Sequence, residues 1–236
     1  MLNRKSPQLA LAVTVTALAI MLAGGAAIAS NAGFKINMPI HPFPGGPTTA
    51  VGDNWISLPN FNPYVTVGGL CSQVGLASGI AKATVTTVNP VNGVADSQQC
   101  GTAGAAAANL IPGRAYRIRQ PAAVTPPPFS IIIVGSHNPA LNIHLEDLVG
   151  SGPVGSNWIS IPYHTTAVTF QDFCNSSGLT QTPLVKASLT QIDPTTGTPN
   201  NQLCGTAGAT TANLVLGRAM RVHEPNGPKD FIPAHY

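Results

Sequence analysis

Phe34-Lys35-Ile36-Asn37-Met38 alternates apolar and polar residues, and Leu141-Asn142-Ile143-His144-Leu145 does the same a hundred residues later. A period of two predicts a strand with one buried face in each place. Connectors rich in Pro or Gly follow both, and then come Trp55-Ile56-Ser57-Leu58 and Trp158-Ile159-Ser160-Ile161, strands stopped by Pro59 and Pro162. Thr169 with Asp172 three residues on is a capping box that starts a short helix, and Gly178 supplies its left-handed stop. The earlier segment keeps Thr66 and Gly75 but has Gly69 where the carboxylate belongs, so its helix is expected to be the frailer one. Ala81 to Val88 and Val185 to Ile192 predict further strands, ending in the turns Asn89-Pro90-Val91-Asn92-Gly93 and Asp193-Pro194-Thr195-Thr196-Gly197. Gly113-Arg114-Ala115-Tyr116-Arg117-Ile118-Arg119 and Gly217-Arg218-Ala219-Met220-Arg221-Val222-His223 read as glycine turns feeding alternating, half-exposed strands. Phe129-Ser130-Ile131-Ile132-Ile133-Val134 closes the first series and, shortened, Phe231-Ile232-Pro233 closes the second.

The pattern is therefore written twice, and one folding unit is used in tandem. Cys100-Gly101-Thr102-Ala103-Gly104-Ala105 returns as Cys204-Gly205-Thr206-Ala207-Gly208-Ala209, and Cys71 and Cys174 each precede a Gly-Leu. The expected fold class is all-β with one short helix per repeat: two tandem antiparallel modules, each a β-sandwich or barrel-like, spanning residues 30–137 and 138–236. The junction is expected at Gly135 to Ala140, and the proline run at 126–128 stiffens a surface segment inside the first module.

The first residues have a different character. Arg4 and Lys5 precede an apolar run from Leu9 to Ile28 that ends in Ala27-Ile28-Ala29, which predicts a signal peptide over residues 1–29 and a mature chain from Ser30. The alternative is a retained anchor, since about 20 apolar residues span a bilayer. Charged residues are 8% of the chain and its formal charge is +3, of which Arg4 and Lys5 carry two units. So little positive charge excludes a nucleic-acid partner. After cleavage no membrane association is expected, and the localisation is secreted, extracellular or cell-surface.

Four cysteines in an exported chain predict two disulfides. The repeat selects Cys71 with Cys100 and Cys174 with Cys204 among the three connectivities, because only that pairing lets each module fold by itself. The series Gly-x-Asn-Trp-x-Ser-x-Pro-Tyr-His-Thr-Thr-Ala, a helix with Cys and Gly-Leu, Asp-Pro-x-x-Gly, Gly-Arg-Ala-x-Arg and Val-Gly-Ser-His resembles tandem modules of exported bacterial surface proteins. The first copy departs from it at Asn60-Phe61-Asn62-Pro63. The resemblance implies a secreted, noncatalytic β-rich building block and transfers no functional residue.

Chemistry is sparse. His137, His164, His223 and His235 lack metal-ligand spacing, and no metal or other cofactor is expected. Glu146-Asp147 is an adjacent acidic pair explained by a solvated turn, and neither Gly135-Ser136-His137 nor Gly150-Ser151-Gly152 fits a nucleophile elbow. Trp55 and Trp158 read as core or interdomain aromatics before sugar platforms, with Tyr64 or Tyr163 left as surface candidates for glycan contact. Arg114, Arg117 and Arg119, with Arg218 and Arg221, form a basic stripe that is either a solvated sheet face or a contact for acidic polysaccharide or a neighbouring subunit. The expected function is a secreted structural subunit of a filament or surface layer, with no enzymatic activity. It assembles with itself head to tail, the strand Phe34, Ile36 and Met38 of one copy meeting Phe231, Ile232 and Tyr236 of the next. The alternative is a monomeric module that binds cell-surface glycan or another surface protein.

Overall fold

The computed structural model describes residues 33–45, 50–122, 129–136, 138–147 and 153–234. The expected leader, the proline run at 126–128, Ser151, His137, His235 and Tyr236 lie outside them.

In the first copy, β1 (Phe34–Ile40), β2 (Pro42–Phe43) and β3 (Asn54–Ile56) precede helix α1 (Val67–Val74). Then come β4 (Thr84–Val88), β5 (Ala95–Gln99), helix α2 (Ala103–Ala107), β6 (Tyr116–Pro121) and β7 (Phe129–Gly135). The second copy repeats the order, with the parallel bridge of Asp147 to Glu224 in the place of β2: β8 (Ile143–Leu145), β9 (Asn157–Ile159), α3 (Phe170–Ser176), β10 (Ser188–Ile192), β11 (Pro199–Leu203), α4 (Ala207–Thr211), β12 (Met220–His223) and β13 (Lys229–Phe231). Among the described residues strands dominate and the four helices are short. There each copy shows two helices rather than the single one expected. The second is an alanine-rich turn capped by the side chain of Thr102 or Thr206.

The main sheet of copy one runs β5-β4-β6, with β3 antiparallel and β2 parallel to successive parts of the far edge of β6. Copy two runs β11-β10-β12-β9. A two-stranded ribbon accompanies each sheet, β1 with β7 and β8 with β13, and the described strands close no barrel. Ile40, Leu70, Val85, Ile118, Ile131 and Ile133 meet in the core of copy one. Leu145, Phe170, Phe173, Leu189, Val222 and Phe231 do so in copy two.

The disulfides join Cys71 on α1 to Cys100 and Cys174 on α3 to Cys204, one within each copy, tying the first helix to the end of the edge strand. Closing a loop of about 30 residues stabilises each copy by about 3.5 kcal/mol in the chain-entropy account. The bridges belong to an oxidising or extracellular environment. No helix among the described residues is long and apolar enough to cross a membrane.

The ribbon corrects one expected register. Asn54 accepts from the His41 amide at 2.8 Å and donates to the His41 carbonyl at 2.9 Å, while Asn157 makes the same pair with Glu146 at 2.7 and 2.9 Å. Leu141–Leu145 therefore matches Ile36 to Ile40, two residues beyond the alignment the apolar pattern suggests. Phe34 and Lys35 are an extension that copy two lacks.

Candidate functional site: the seam between the copies

From Phe34 onward the chain forms one compact unit. The copies are joined by a pseudo-two-fold exchange of backbone hydrogen bonds. Ala219 donates to the Trp55 carbonyl and Ala115 to that of Trp158, both at 3.0 Å. Ser57 donates to the Gly217 carbonyl and Ser160 to that of Gly113, both at 2.8 Å. The entry to β6 thus pairs first with the other copy's Trp strand and then with its own, and the entry to β12 reciprocates.

Side chains repeat the exchange. The Ser57 hydroxyl accepts from the Ile161 amide at 2.9 Å and donates to the Arg218 carbonyl at 3.1 Å. The Ser160 hydroxyl accepts from the Leu58 amide at 3.0 Å and donates to the Arg114 carbonyl at 2.7 Å. Gly52 reaches the Pro194 carbonyl and Gly155 the Pro90 carbonyl, each at 2.8 Å, so the Asn-Pro and Asp-Pro turns each press on the opposite copy. Gly93 (φ 69°) and Gly197 (φ 71°) close those turns where a Cβ would strike Pro153 or Val51.

On the axis, Trp55 and Trp158 stack with ring centroids 3.5 Å apart and planes 4° from parallel. Both are buried, at 6% and 8% exposure, among Ala115 and Ala219, whose small side chains admit the rings. The guanidinium of Arg117 lies 5.7 Å from the Trp55 ring centre and that of Arg221 5.8 Å from the Trp158 ring centre. Two aromatic faces normally avoid full overlap because their quadrupoles repel, and a cation outside each ring draws that density outward. The tryptophans are thus the interdomain aromatics the alternation suggested.

Two narrow grooves flank the stack and are related by the same axis. Asn142, His144, Glu146 and Trp158 with Pro90 and Arg114 line one of about 210 Å³; Asn37, Pro39, His41 and Trp55 with Pro194 and Arg218 line the other, of about 130 Å³. Both fall short of the roughly 300 Å³ at which small-molecule pockets begin. A larger open cleft of about 460 Å³ lies on copy one, where Lys82, Arg117 and Arg119 meet Thr84, Thr86 and Phe43.

The basic stripe is divided by these contacts. Arg119 makes a two-pronged pair with buried Asp53, which also holds Arg117 at 3.5 Å; Arg218 reaches Asp193 at 3.4 Å. Arg114 lines the larger seam groove. Burial lowers the pKa of Arg117, opposed by Asp53, and burial lowers that of Arg221.

Phe34, Ile36 and Met38 lie on β1, which pairs over its whole length with β7 of the same chain; Ile36 faces Ile133 and Met38 faces Ile131. Phe34 overhangs onto copy two, 4.6 Å from the Tyr163 ring and 5.1 Å from His164. Donation of this strand to another chain requires it to leave β7. Phe231 is in the copy-two core, opposite Ile143, and Ile232 is exposed.

Tyr64 and Tyr163 are buried rather than presented as sugar platforms. Tyr163 donates to the Ser57 carbonyl, and burial, reinforced by Tyr64, raises its pKa well above the ordinary phenol range. Glu146 is bracketed by Asn157, and the Asp147 carboxylate accepts from the Gly227 amide at 3.2 Å. Ser136 joins an isolated bridge with Phe61.

One pairing has no counterpart in the sequence reading: the Ser156 hydroxyl lies 2.8 Å from Nε2 of His223. It occupies the place that Asp53 and Arg119 hold in copy one, so the pair links the start of a Trp strand to the neighbouring strand. Ser156 is buried, unlike a nucleophile open to substrate. Among the described residues no cluster of three His, Cys, Asp or Glu is placed to hold a metal ion. No known protein family, curated protein or solved structure matches the chain.

Proposed function

We propose that the protein is secreted and noncatalytic, a structural subunit of an extracellular filament or surface layer that associates with further copies of itself. One observation carries this reading. Ile80 and Leu184 occupy the same place in the two copies, on the loop between the first helix and the sheet, and both are fully exposed. Val65 with Val168 and Ile111 with Val215 repeat the pattern less completely. A single exposed apolar residue needs no explanation; its recurrence after duplication supports reading these loops as a contact surface.

The pseudo-two-fold axis gives that surface its consequence. A contact that pairs two single copies becomes divalent when the copies are fused, and a divalent subunit whose contacts do not close forms open chains. Assembly through these loops leaves β1 in place on β7 and is the route proposed. The two disulfides support the extracellular setting.

Sedimentation velocity and negative-stain microscopy of Ile80→Asp, Leu184→Asp and the double variant test it. The parent is expected to form extended oligomers, each single variant to stop at dimers, and the double variant to remain monomeric. A double variant that assembles like the parent, or a parent that stays monomeric at high concentration, overturns the proposal.

A further inference from the structure

The open cleft on copy one has two unlike walls. Phe43, Pro44 and Pro121 form an apolar side; Lys82, Arg117 and Arg119 with Thr84, Thr86 and Ser97 form a polar and cationic one. Its volume of about 460 Å³ is within the ordinary range of small-ligand sites. Three cations face one carboxylate there, because Asp53 is buried and already engaged by both arginines. The local balance is an excess of two positive charges in a chain whose whole formal charge is +3.

The donors are also incompletely used. The Thr86 hydroxyl is 2.9 Å from that of Ser97, and an Arg117 Nη reaches the Thr86 hydroxyl at only 3.5 Å. Nε of Arg117 is buried without a hydrogen-bond partner. A buried guanidinium donor without an acceptor is costly, and it leaves the Arg117 head group incompletely satisfied by the protein. Arg119 is held over the Phe43 ring at 4.3 Å, which fixes the apolar wall against the cationic one.

We propose that this cleft binds an acidic saccharide, with the ring's C–H face on Phe43 and the prolines, its hydroxyls on Thr84 and Ser97, and its carboxylate toward Lys82 and Arg117. A carboxylate suits this arrangement because guanidinium and ammonium groups bind it with charge-assisted hydrogen bonds. A sugar ring suits it because one face is apolar and its rim is hydroxylated.

The duplicate supplies an internal control. There Asp53 is replaced by Ser156, Arg119 by His223 and Gln120 by buried Glu224, and Asp147 takes the backbone position of Pro42. Lys186 corresponds to Lys82, but its ammonium donates to the Gly205 carbonyl at 3.2 Å. Among the described residues the arrangement of Lys82, Arg119 and Phe43 is found in copy one.

The test is equilibrium binding of polygalacturonate, a linear polyuronate, to the full chain at low ionic strength, with uncharged dextran as the comparison. The parent is expected to bind polygalacturonate and not dextran, and to weaken as salt is added. Lys82→Glu should lose about tenfold in affinity, the size of one lost charge-assisted contact, while Lys186→Glu stays within about twofold of the parent. Unchanged melting temperatures in both variants show that the fold is intact. No binding to the parent, equal loss in the two lysine variants, or equal binding of dextran overturns the proposal. Run below the assembly concentration, the experiment does not depend on self-association, so either proposal can fail alone.

Discussion

Asn54 and Asn157 fasten each copy from within, beside the tryptophans that meet at the seam. Each side-chain amide bridges the ribbon, its own turn and the neighbouring strand, reaching the Ile118 carbonyl at 3.0 Å or the Val222 carbonyl at 3.1 Å. The Asn-Trp pair thus places one residue in the module's frame and the next on the pseudo-axis. Tryptophan's burial was legible from its alternation with polar neighbours. The asparagine clamp was not, because its partners lie more than ten and more than sixty residues away and no local pattern announces them.

The Ser156–His223 pair, equally invisible beforehand, introduces a pH dependence. Burial and then Arg221 lower the pKa of His223 below its ordinary 6.5, so the neutral ring is favoured in the fold. An unfolded chain then binds the extra proton more readily. The stability this residue supplies is full above about pH 6.5 and is lost as pH falls through the lowered folded value. Thermal unfolding between pH 7.5 and 5 should therefore show a smaller acid loss in His223→Gln than in the parent. Identical pH profiles would remove His223 from the account.

At the scale of elements, the strands with one apolar face were readable and those without were not. The polar edge strands Ala95–Gln99 and Pro199–Leu203 carry almost no apolar alternation and take their conformation from pairing with β4 and β10 across turns whose chemistry was clear. The second helix of each copy leaves no signal in the sequence, because its five residues are too few for a period to emerge.

The capping box of α3 is present as expected, with Thr169 accepting from the Asp172 amide at 3.1 Å and Asp172 accepting from the Thr169 amide at 2.9 Å. These bonds lower the Asp172 pKa. Helix α1 lacks the carboxylate yet spans eight residues against seven, held by its buried Val67, Leu70 and Val74 and by the disulfide. Its two glycines differ. A Cβ at Gly69 meets nothing nearer than the Thr66 hydroxyl at 3.6 Å, whereas one at Gly68 comes within 3.0 Å of the Ala106 backbone. Gly69→Asp should therefore stabilise the protein by about 1 kcal/mol through helix propensity and a restored box, and Gly68→Ala should destabilise it by forcing α1 from α2. Denaturant unfolding of the two variants checks both signs; a destabilising Gly69→Asp would show that α1 is not limited by its cap.

For the whole molecule, duplication was the most legible fact, and what duplication does was the least. Turn glycines, cysteines and apolar positions recur in the chain, but whether the copies hang apart or close on each other is decided by backbone groups that every residue has. Ser57, Ala115, Ser160 and Ala219 look like ordinary strand residues until the axis brings them together. The seam is self-complementary, residue for residue, in the manner of a two-fold dimer folded from one chain. Each copy keeps its own core and disulfide, so the seam unites two units that are separately cross-linked.

Hydrogen exchange at the amides of Ser57, Ala115, Ser160 and Ala219 tests this arrangement most directly, because all four bond across the axis. They should exchange slowly and as one group, at rates close to those of the amides within β6 and β12. Fast exchange at these four positions, with the strands of both cores still protected, would mean that the copies are separate bodies and that the pseudo-two-fold seam does not exist in solution.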